Sequence, residues 1–548
     1  MLSNRGPDKS QEIYENGVFF HGAVLWQQGN ETCVQPVVSE ENILLFNGDL
    51  YMASINQYIE SDTEFLFNKM NKAESEEEIL EIFRTAIGPF SIIFMFKRKI
   101  FFARDSLGRN SLLLGRHGQH QSLFITSVID PGDEDIQAIE LPPLGVYSLN
   151  IDIDSKHVEL YPYQELNAHQ HNWTQLEKVK EITEVEIKHT IEPEWLRKTK
   201  CTKNFSFDEL ASDLNDENIF QKLLENSDIN ETCEMFLDLL SSSVKDRVER
   251  SPKMCKNCIQ ATDISCNHCR IGILFSGGVD CSMIAILADK FIDINIPIDL
   301  MNVAFEKVSY AKKSEAINWN VPDRLTGVET AEELRRLCPK RIWNFVEINV
   351  TRDELGNHLK RLSSLVYPLC NVLDESLGAA LHFASRGMGS VDKNSYSSPC
   401  RVLLIGSGAD ELFGGYTRHR NAFKRSTPDH DLLLEELNLD WVRLPSRNLA
   451  RDDRVIADSG ITVRAPFIEE NFVNFVQTLK PLQRCFPALP EGVGDKLLLR
   501  LAAFKLGLSN CSKFRKRALQ FGSRIADKRQ SAKDTSVLLK SGRKATSS

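Results

Sequence analysis

Hydrophobic and polar positions follow different patterns in the two halves of the chain. In the first half, short apolar or alternating runs bounded by turn residues predict strands. These runs cover residues 43–46, 90–96, 100–103, 122–126 and 145–150. One or two helices are predicted over residues 63–83. The pattern therefore places a strand-rich first domain at residues 1–162.

In the second half, apolar strands alternate with helical patterns. The strands are predicted at residues 271–275, 300–305, 343–348 and 401–405. Because this alternation is typical of a parallel sheet with helices on both faces, residues 251–525 are predicted to form a doubly wound α/β domain. Residues 163–250 are charged and predict a helical connector. The Lys-, Ser- and Arg-rich residues 526–548 predict a disordered basic tail.

Composition narrows the class of protein. The 548 residues are 42% hydrophobic and 26% charged, as in ordinary globular proteins of several domains. A net charge of −10 argues against a general nucleic-acid or membrane-surface binder. We find no apolar run long enough to span a bilayer and no secretory signal. The 13 cysteines are therefore expected to be mostly free thiols, and the protein is expected to be cytoplasmic.

A glycine turn between a strand and a helix carries the first chemical signal. Ser276-Gly277-Gly278 directly follows an apolar strand and precedes a helical pattern. Glycines let the backbone approach an anion closely, and a helix N-terminus attracts that anion. Asp280 adds a carboxylate suited to Mg²⁺. A Walker loop is excluded because no Gly-Lys-Ser/Thr follows. An ordinary tight turn remains the alternative.

A second strand end carries a similar signal. Gly406, Asp410 and Glu411 follow the strand predicted at residues 401–405. Since ligands of open α/β sheets bind beyond the carboxyl ends of the strands, Asp280 and Asp410 are predicted to share a Mg²⁺. An acidic pair at a helix N-terminus is the alternative for Asp410 and Glu411. Lys496 begins an apolar helix and could neutralise phosphate charge, although a surface lysine is the alternative.

Four cysteines precede the first strand of the second domain. Cys255, Cys258, Cys266 and Cys269 form two CxxC pairs, the spacing of a structural Zn²⁺ site with four thiolate ligands. His268, inside the second pair, is interpreted as a bystander. Four free thiols on a polar loop are the alternative.

Taken in chain order, these motifs resemble those of asparagine synthetases. The matching segments are residues 276–280, 406–416, 451–454 and 464–467, together with Lys496. Residues 321–324, 341–349, 446–456, 496–503 and 516–525 resemble eukaryotic members of this family more closely. The resemblance implies that residues 251–525 form an ATP-pyrophosphatase domain, of the adenine nucleotide α-hydrolase type, that binds ATP and Mg²⁺. The implied nucleotide-binding residues are Leu274, Ser276, Gly277, Gly278, Asp280, Val303, Gly406 and Asp410, and Lys496 takes the implied catalytic role.

The resemblance extends to the first domain. It implies a class II glutamine amidotransferase domain, an N-terminal-nucleophile αββα sandwich. Asn47-Gly48-Asp49 is similar to the family's glutamine site, in which the asparagine and glycine form an oxyanion hole, and Asp62 lies in a later matching segment. Without the resemblance, Asn47-Gly48-Asp49 would be interpreted only as a hairpin turn.

The chain departs from the family at several positions. Leu2 stands where the family has its nucleophilic cysteine, and Cys33 is not N-terminal. No arginine lies at residues 21–25, where the family clamps the glutamine carboxylate. The amidotransferase domain is therefore expected to be N-terminally incomplete or inactive.

The synthetase half departs too. Ser407 replaces a glutamate that assists the chemistry, Ile405 replaces a serine, and residues 380–383 lack the family's arginine. Cys281 is a mild change from serine. The phosphate-holding residues are retained, whereas those that handle aspartate are not.

Three functions follow as hypotheses. The family reaction would convert aspartate, ATP and glutamine into asparagine, AMP and pyrophosphate through an aspartyl-adenylate. The departures favour a nucleotide-binding pseudoenzyme or scaffold that makes no asparagine. A zinc-bearing tRNA-modifying enzyme of the same ATP-pyrophosphatase superfamily is a third hypothesis, against which the acidic net charge speaks.

Overall fold

A computed structural model describes most of the chain. The described residues are 1–40, 42–52, 54–55, 60–118, 122–132, 135–152, 157–167, 171–196, 203–210, 217–259, 266–306, 317–425, 430–526 and 533–539. Residues 527–532 and 540–548 of the predicted tail lie outside them.

The first unit is built on β-sheets. Its strands are β1 (Lys9–Glu15), β2 (Val18–Val24), β3 (Val37–Ser39), β4 (Asn42–Gly48), β5 (Phe90–Phe96), β6 (Lys99–Arg104), β7 (Leu113–His117), β8 (Leu123–Thr126), β9 (Ile136–Glu140), β10 (Gly145–Asn150), β11 (His157–Pro162) and β12 (Glu184–Ile187). Seven of them form one sheet in the order β12-β11-β10-β6-β5-β4-β3. The hairpin β1-β2 and the sheet β8-β7-β9 are separate sheets that both pack on one face of this main sheet.

Helices pack against both faces of the main sheet. The helices of the first part of the chain are α1 (Leu2–Arg5), α2 (Asp62–Asn71), α3 (Glu76–Thr85), α4 (His171–Lys180), α5 (Phe207–Leu210), α6 (Ile219–Leu224) and α7 (Ser227–Glu249), with a 3₁₀ turn at Glu194–Leu196. Helix α2 begins at a capping box in which Ser61 and Glu64 satisfy each other's backbone N–H groups. Helices α2 and α3 pack on one face of the main sheet, and α4 packs into the core on its other face. Two β layers with outer helices are as predicted.

The predicted connector is divided between the two units. Strand β12 pairs in parallel with β11, so the first sheet extends beyond Pro162. Helix α7 instead buries Phe236, Leu240 and Val244 in the core of the second unit. Residues 163–250 are rich in charge because the outer faces of these elements are charged. Their apolar residues pack in two different cores.

The second unit is a doubly wound sheet, as predicted. Its strands are β13 (Ile271–Leu274), β14 (Ile298–Phe305), β15 (Trp343–Val350), β16 (Met388–Val391), β17 (Asn394–Ser397), β18 (Val402–Leu404) and β19 (Thr462–Arg464). The order is β17-β16-β15-β14-β13-β18-β19. Strands β15, β14, β13, β18 and β19 are parallel, and β16 and β17 form an antiparallel edge. Every residue of β14 is buried, because helices cover both faces.

Two hydrophobic cores lie on the two faces of this sheet. Their helices are α8 (Val279–Asp289), α9 (Pro322–Leu337), α10 (Arg352–Val366), α11 (Val372–Arg386), α12 (Ala409–Phe413), α13 (Thr417–Arg425), α14 (Asp431–Leu444), α15 (Ala450–Ala457), α16 (Glu470–Thr478), α17 (Pro481–Arg484), α18 (Leu497–Lys505) and α19 (Leu519–Gly522). A π-helical turn, Pro445–Leu449, joins α14 to α15, and a 3₁₀ turn lies at Cys511–Lys513.

Part of the predicted disordered tail is ordered. The backbone at Asp534 and Ser536 bonds to Val372 and Cys370, and Leu539 is buried against the second core. This contradicts the prediction for residues 533–539, because an apolar residue and local backbone pairing outweigh the polar composition.

Buried ion pairs join the two units. Arg464 contacts Asp49, Arg109 contacts Glu470, and Arg5 contacts Asp453 at 2.6, 2.5 and 2.9 Å. No helix in the described part of the chain is long and apolar enough to cross a membrane.

Candidate functional site

The glycine turn after β13 is fixed by hydrogen bonds and close packing from helix α9. Gly278 is the N-cap residue of α8, and Gly277 has a φ of +78°. A Cβ atom on Gly277 would lie 2.4 Å from the carbonyl oxygen of Thr326. The hydroxyls of Thr326 and Thr330 on α9 donate to the carbonyls of Ser276 and Gly277 at 2.8 and 2.9 Å. The sequence therefore folds into a fixed turn whose helix N-terminus faces a cavity.

Two carboxylates meet beside this turn. Lys496 Nζ lies 2.6 Å from Asp280 Oδ2 and 2.7 Å from Asp410 Oδ1. Lys516 Nζ lies 3.4 Å from the other oxygen of Asp410. The ends of β13 and β18 are neighbours, and this is why the two aspartates, 130 residues apart in the chain, come together. We call Asp280, Asp410 and Lys496 the lysine-carboxylate cluster.

The backbone is shaped to admit Lys496. This residue precedes α18 with a left-handed φ of +55°, and only 1% of its side chain is exposed. Its backbone N–H donates to the carbonyl of Phe413 at 3.0 Å. A Cβ atom on Gly415 would lie 2.4 Å from the Lys496 side chain and 1.9 Å from Asp410. Glycine at 415 is therefore required by the cluster.

The charges of the cluster shift one another's titration. Burial alone would lower the pKa of Lys496, but the charges of Asp280 and Asp410 raise it above the ordinary value. Burial opposes ionisation of Asp410, and Lys496 and Lys516 overcome this and lower its pKa. Burial and the charge of Asp410 leave the pKa of Asp280 raised. Lys496 is therefore a permanent cation at neutral pH.

A metal ion fits the donors of this cluster. Asp280 Oδ1 is buried and has no hydrogen-bond partner among the described residues. Carboxylate oxygens of this kind are the ligands that Mg²⁺ prefers. The predicted pair of magnesium ligands is thus brought together, with the Lys496 ammonium as their present counter-charge.

A cavity of about 490 Å³ opens at the carboxyl ends of β13 and β18. Of the predicted nucleotide-binding residues, Leu274, Ser276, Gly278, Asp280, Gly406 and Asp410 line it. Gly277 and Lys496 line a smaller adjoining cavity. Val303 lines neither cavity. It is buried in the core, because every residue of β14 is covered by helices.

Two acidic residues of the site were given no role from the sequence. Glu411 lines the larger cavity, and burial together with the charge of Asp410 raises its pKa to about 7. Asp323 lines the smaller cavity, and burial raises its pKa to about 7. Glu411 was visible in the sequence as the neighbour of Asp410. Asp323 gave no such signal, because its burial depends on packing against α19.

The positions that depart from the family also lie in the larger cavity. Ile405, Ser407 and Leu381 line it, as does Cys281. Burial raises the pKa of the Cys281 thiol. Arg443, Arg447 and Arg517 supply positive charge to the same walls. The cavity is therefore cationic, with apolar patches where the family has polar groups.

The predicted glutamine-site residues line a separate cavity of about 180 Å³, which residues 453–463 of the second unit also help to line. Asn47, Gly48, Asp49 and Asp62 all contribute to it. Cys33 lines it too, although sequence reasoning had set this cysteine aside. Burial, and then the charge of Glu64, raise the pKa of Cys33 to about 11, so at neutral pH it is a thiol and not a nucleophilic thiolate.

The carboxylate of Asp49 accepts hydrogen bonds from three other side chains. It accepts two hydrogen bonds from Arg464, at 2.6 and 2.9 Å, and further bonds from Gln28 and Tyr51. Asp62 accepts from the backbone of Leu50 and Thr63, and burial followed by the charge of Asp49 raises its pKa to about 7. Neither carboxylate is an unengaged anion.

The cysteine cluster differs from the prediction in one ligand. Cys255, Cys258 and Cys266 converge, but the fourth group is His268, and the ligand atoms all lie within 4.8 Å of one another. The structure does not bring Cys269, the predicted fourth ligand, into this cluster. Cys269 is buried in the second core, where its Sγ donates to the carbonyl of Ile271 at 3.2 Å.

Comparison with known proteins agrees with this architecture. The asparagine synthase family model matches residues 267–433, the stretch that contains both glycine turns. This match and the doubly wound sheet define a domain of the ATP-pyrophosphatase type.

Relatives match along nearly the whole chain. A Drosophila melanogaster protein described as asparagine synthetase domain-containing protein CG17486 is 43% identical over 97% of this chain and 94% of its own. Human asparagine synthetase domain-containing protein 1 is 34% identical over 96% and 91%. A chicken glutamine-hydrolyzing asparagine synthetase is 27% identical over only 42% and 36%. The chain therefore belongs to the family of asparagine synthetase domain-containing proteins.

Proposed function

We propose that this protein binds ATP with Mg²⁺ at the carboxyl edge of the parallel sheet. The observation that carries the proposal is the lysine-carboxylate cluster beside a fixed glycine turn at a helix N-terminus. Three charged groups gathered at one sheet edge have no structural need to be there, since a buried ion pair adds little net stability. They fit a polyanion and its metal ion.

Each group then has a role. Ser276, Gly277 and Gly278 hold phosphate oxygens through the backbone and the helix dipole. Asp280 and Asp410 hold Mg²⁺, which would neutralise phosphate charge when bound. Lys496 lies at 2.6 Å from Asp280, where it would stabilise negative charge developing on the leaving pyrophosphate.

Binding is tested by titrating the full chain with Mg-ATP in calorimetry and thermal unfolding. We expect Asp280→Asn to weaken binding at least ~10-fold and to abolish stabilisation by the nucleotide. Asp238→Asn, on the exposed face of α7, is the matched control. Equal affinities in wild type and Asp280→Asn would show that the turn has no nucleotide function.

We further propose that the family's glutamine-dependent asparagine synthesis is lost. Two features support this. The Asp49 carboxylate, part of the glutamine-site motif, is engaged by Arg464 and is not free to contact glutamine. Ser407 lacks the carboxylate that the resemblance implies at that position, and a positioned base is worth roughly 10²–10⁴-fold in rate.

This loss is tested with isotope-labelled aspartate and ATP, supplied with either glutamine or ammonia. Ammonia bypasses the amidotransferase half, so the two arms test the halves separately. We expect no asparagine above a protein-free blank in either arm. Turnover with ammonia at ordinary enzymatic rates would contradict the proposal for the synthetase half, and glutamate release would contradict it for the other.

Glu411 favours a second candidate function, amide formation between an amine and a carboxylic acid other than aspartate through an acyl-adenylate. Glu411 lines the same cavity, and its pKa of about 7 suits a base that takes the proton an amine loses when it attacks the adenylate. ATP–pyrophosphate exchange in the presence of small carboxylic acids tests this. Exchange that both Glu411→Gln and Glu435→Gln retain, together with amide formation that only Glu411→Gln loses, would favour an enzyme. No exchange in wild type would favour a binding protein.

The third hypothesis, tRNA modification, gains no support from the site. The cysteine cluster precedes β13, whereas the glycine turn follows it, so the thiols lie at the opposite end of that strand from the proposed nucleotide. We keep a cytoplasmic location as a proposal, consistent with the free thiols of the described cysteines.

A further inference from the structure

We propose that Cys255, Cys258, Cys266 and His268 bind one structural Zn²⁺ ion. This inference is independent of the nucleotide proposal, because the cluster lies at the amino end of the sheet. Three thiols and one imidazole are a common ligand set of structural zinc sites. The four ligand atoms lie within 4.8 Å of one another.

The distances match a tetrahedral ion better than they match hydrogen bonding. His268 Nδ1 lies 3.7, 3.4 and 3.4 Å from the sulfur atoms of Cys255, Cys258 and Cys266. Zinc bound at about 2.3 Å from sulfur and 2.05 Å from nitrogen, with tetrahedral angles, places sulfur and nitrogen about 3.6 Å apart. One ring N–H can donate to only one thiol, so hydrogen bonding does not explain three sulfur atoms around one nitrogen.

The fourth thiol of the CxxC pairs is used elsewhere. Cys269 is buried and points into the second core, where it donates to the carbonyl of Ile271. His268, which precedes it, is exposed, and its Nδ1 lies within 3.7 Å of the three other sulfur atoms. With four protein ligands the site is closed, which is typical of a structural metal and leaves no position for a reacting water.

The position of the cluster indicates what the metal would stabilise. The backbone N–H of Lys256 donates to the carbonyl of Pro399 at 2.9 Å, just before β18. On the other side, the N–H of Arg401 donates to the carbonyl of Arg270, just before β13. The segments that carry the proposed ligands, residues 255–258 and 266–268, thus connect the starts of β13 and β18. Asp280 and Asp410 follow the opposite ends of these two strands.

The test is metal analysis of the reduced full-length protein, purified without chelators, with and without added Zn²⁺. We expect about one zinc per chain in wild type and in Cys269→Ser. His268→Ala should weaken zinc binding by at least ~10-fold in competition with a chromogenic chelator. His268 is exposed, so this variant should fold even if a cysteine variant does not.

Two further measurements make the assignment decisive. Co²⁺ added to the metal-free protein should give the intense visible absorption of a tetrahedral thiolate site in wild type and Cys269→Ser, but an altered spectrum in His268→Ala. Chelation should lower the midpoint of thermal unfolding in wild type. Only trace zinc in wild type after zinc addition would overturn the site. Zinc lost from Cys269→Ser and retained by His268→Ala would overturn the assignment of the fourth ligand.

Discussion

At the scale of single residues, Lys496 is the group on which the candidate site depends. It separates two carboxylates that would otherwise face each other, and 1% of its side chain is exposed. Removing one member of a buried charge cluster leaves the others uncompensated, at a cost of about 3–5 kcal/mol. We therefore expect Lys496→Met to lower the free energy of unfolding in urea by an amount of this order.

Magnesium provides the check on that expectation. In Lys496→Met the freed carboxylates should bind Mg²⁺ directly, so millimolar Mg²⁺ should recover part of the lost stability, and wild type should respond less. Lys513→Met, at a lysine whose ammonium lies 3.4 Å from the exposed carbonyl of Glu217 and 6.0 Å from the centre of the Phe220 ring, is the matched control. No stability loss in Lys496→Met would contradict the assigned role.

Asp323 gives a pH prediction at the same scale. Burial raises the pKa of this carboxyl from 3.8 to about 7, so the folded protein holds a proton that the unfolded chain releases near pH 4. Stability associated with Asp323 is therefore fully present below about pH 4 and is lost as pH rises through about 7. We expect Asp323→Asn to be more stable than wild type at pH 8, with the difference shrinking toward pH 4.

Unfolding free energies measured between pH 4 and 8 test this difference. Asp238→Asn, at an exposed position, should follow the wild-type curve. A constant offset between wild type and Asp323→Asn would mean that the carboxyl does not titrate in that range.

At the scale of elements, substitution by alanine should change the stability of the protein in opposite directions at Gly277 and at Gly356. Gly277 has a left-handed backbone, and its Cβ would meet a carbonyl at 2.4 Å, so Gly277→Ala should cost about 1–3 kcal/mol and weaken nucleotide binding. Gly356 lies within α10 with open space around its Cβ position. Gly356→Ala should stabilise the protein by about 0.5–1 kcal/mol. Urea unfolding of both variants tests the difference in sign.

The elements also show what the sequence could and could not predict. The strand ends before Ser276 and Gly406 were predictable, because apolar runs followed by glycine turns have a local cause. The hairpin β1-β2 was missed, although Asn16-Gly17, both with positive φ, is a strong hairpin signal. The choice of His268 over Cys269 was not predictable, since it depends on which side chain enters the core.

At the scale of the whole molecule, the interface between the two units contains buried charged side chains that are paired across it. Asp49 from the first unit and Arg464 from the second are both buried and doubly bonded. Sequence reasoning assigned Asp49 to glutamine and gave Arg464 no role beyond its motif. The pairing depends on how the units dock, and no local pattern encodes it.

This interface leads to a prediction about cooperativity. Separation of the units would leave charged side chains of each unit without their partners. We therefore expect wild type to unfold in a single calorimetric transition. Arg464→Met should cost about 3–5 kcal/mol by leaving Asp49 buried without its partner, and it should divide the transition in two. Arg84→Met, which removes an exposed pair with Glu81, should change stability by less than about 1 kcal/mol.

The pair is isolated by a double-mutant cycle with Asp49→Asn and Arg464→Met. If the two side chains act mainly on each other, the double variant should lose much less stability than the sum of the single variants. Strict additivity would mean that Arg464 acts chiefly through the carbonyls of Arg247 and Arg250, which it also contacts, at 2.6 and 2.8 Å. In that case the Asp49 carboxylate would not be held chiefly by Arg464. It would then be available to contact glutamine, contrary to the proposal above.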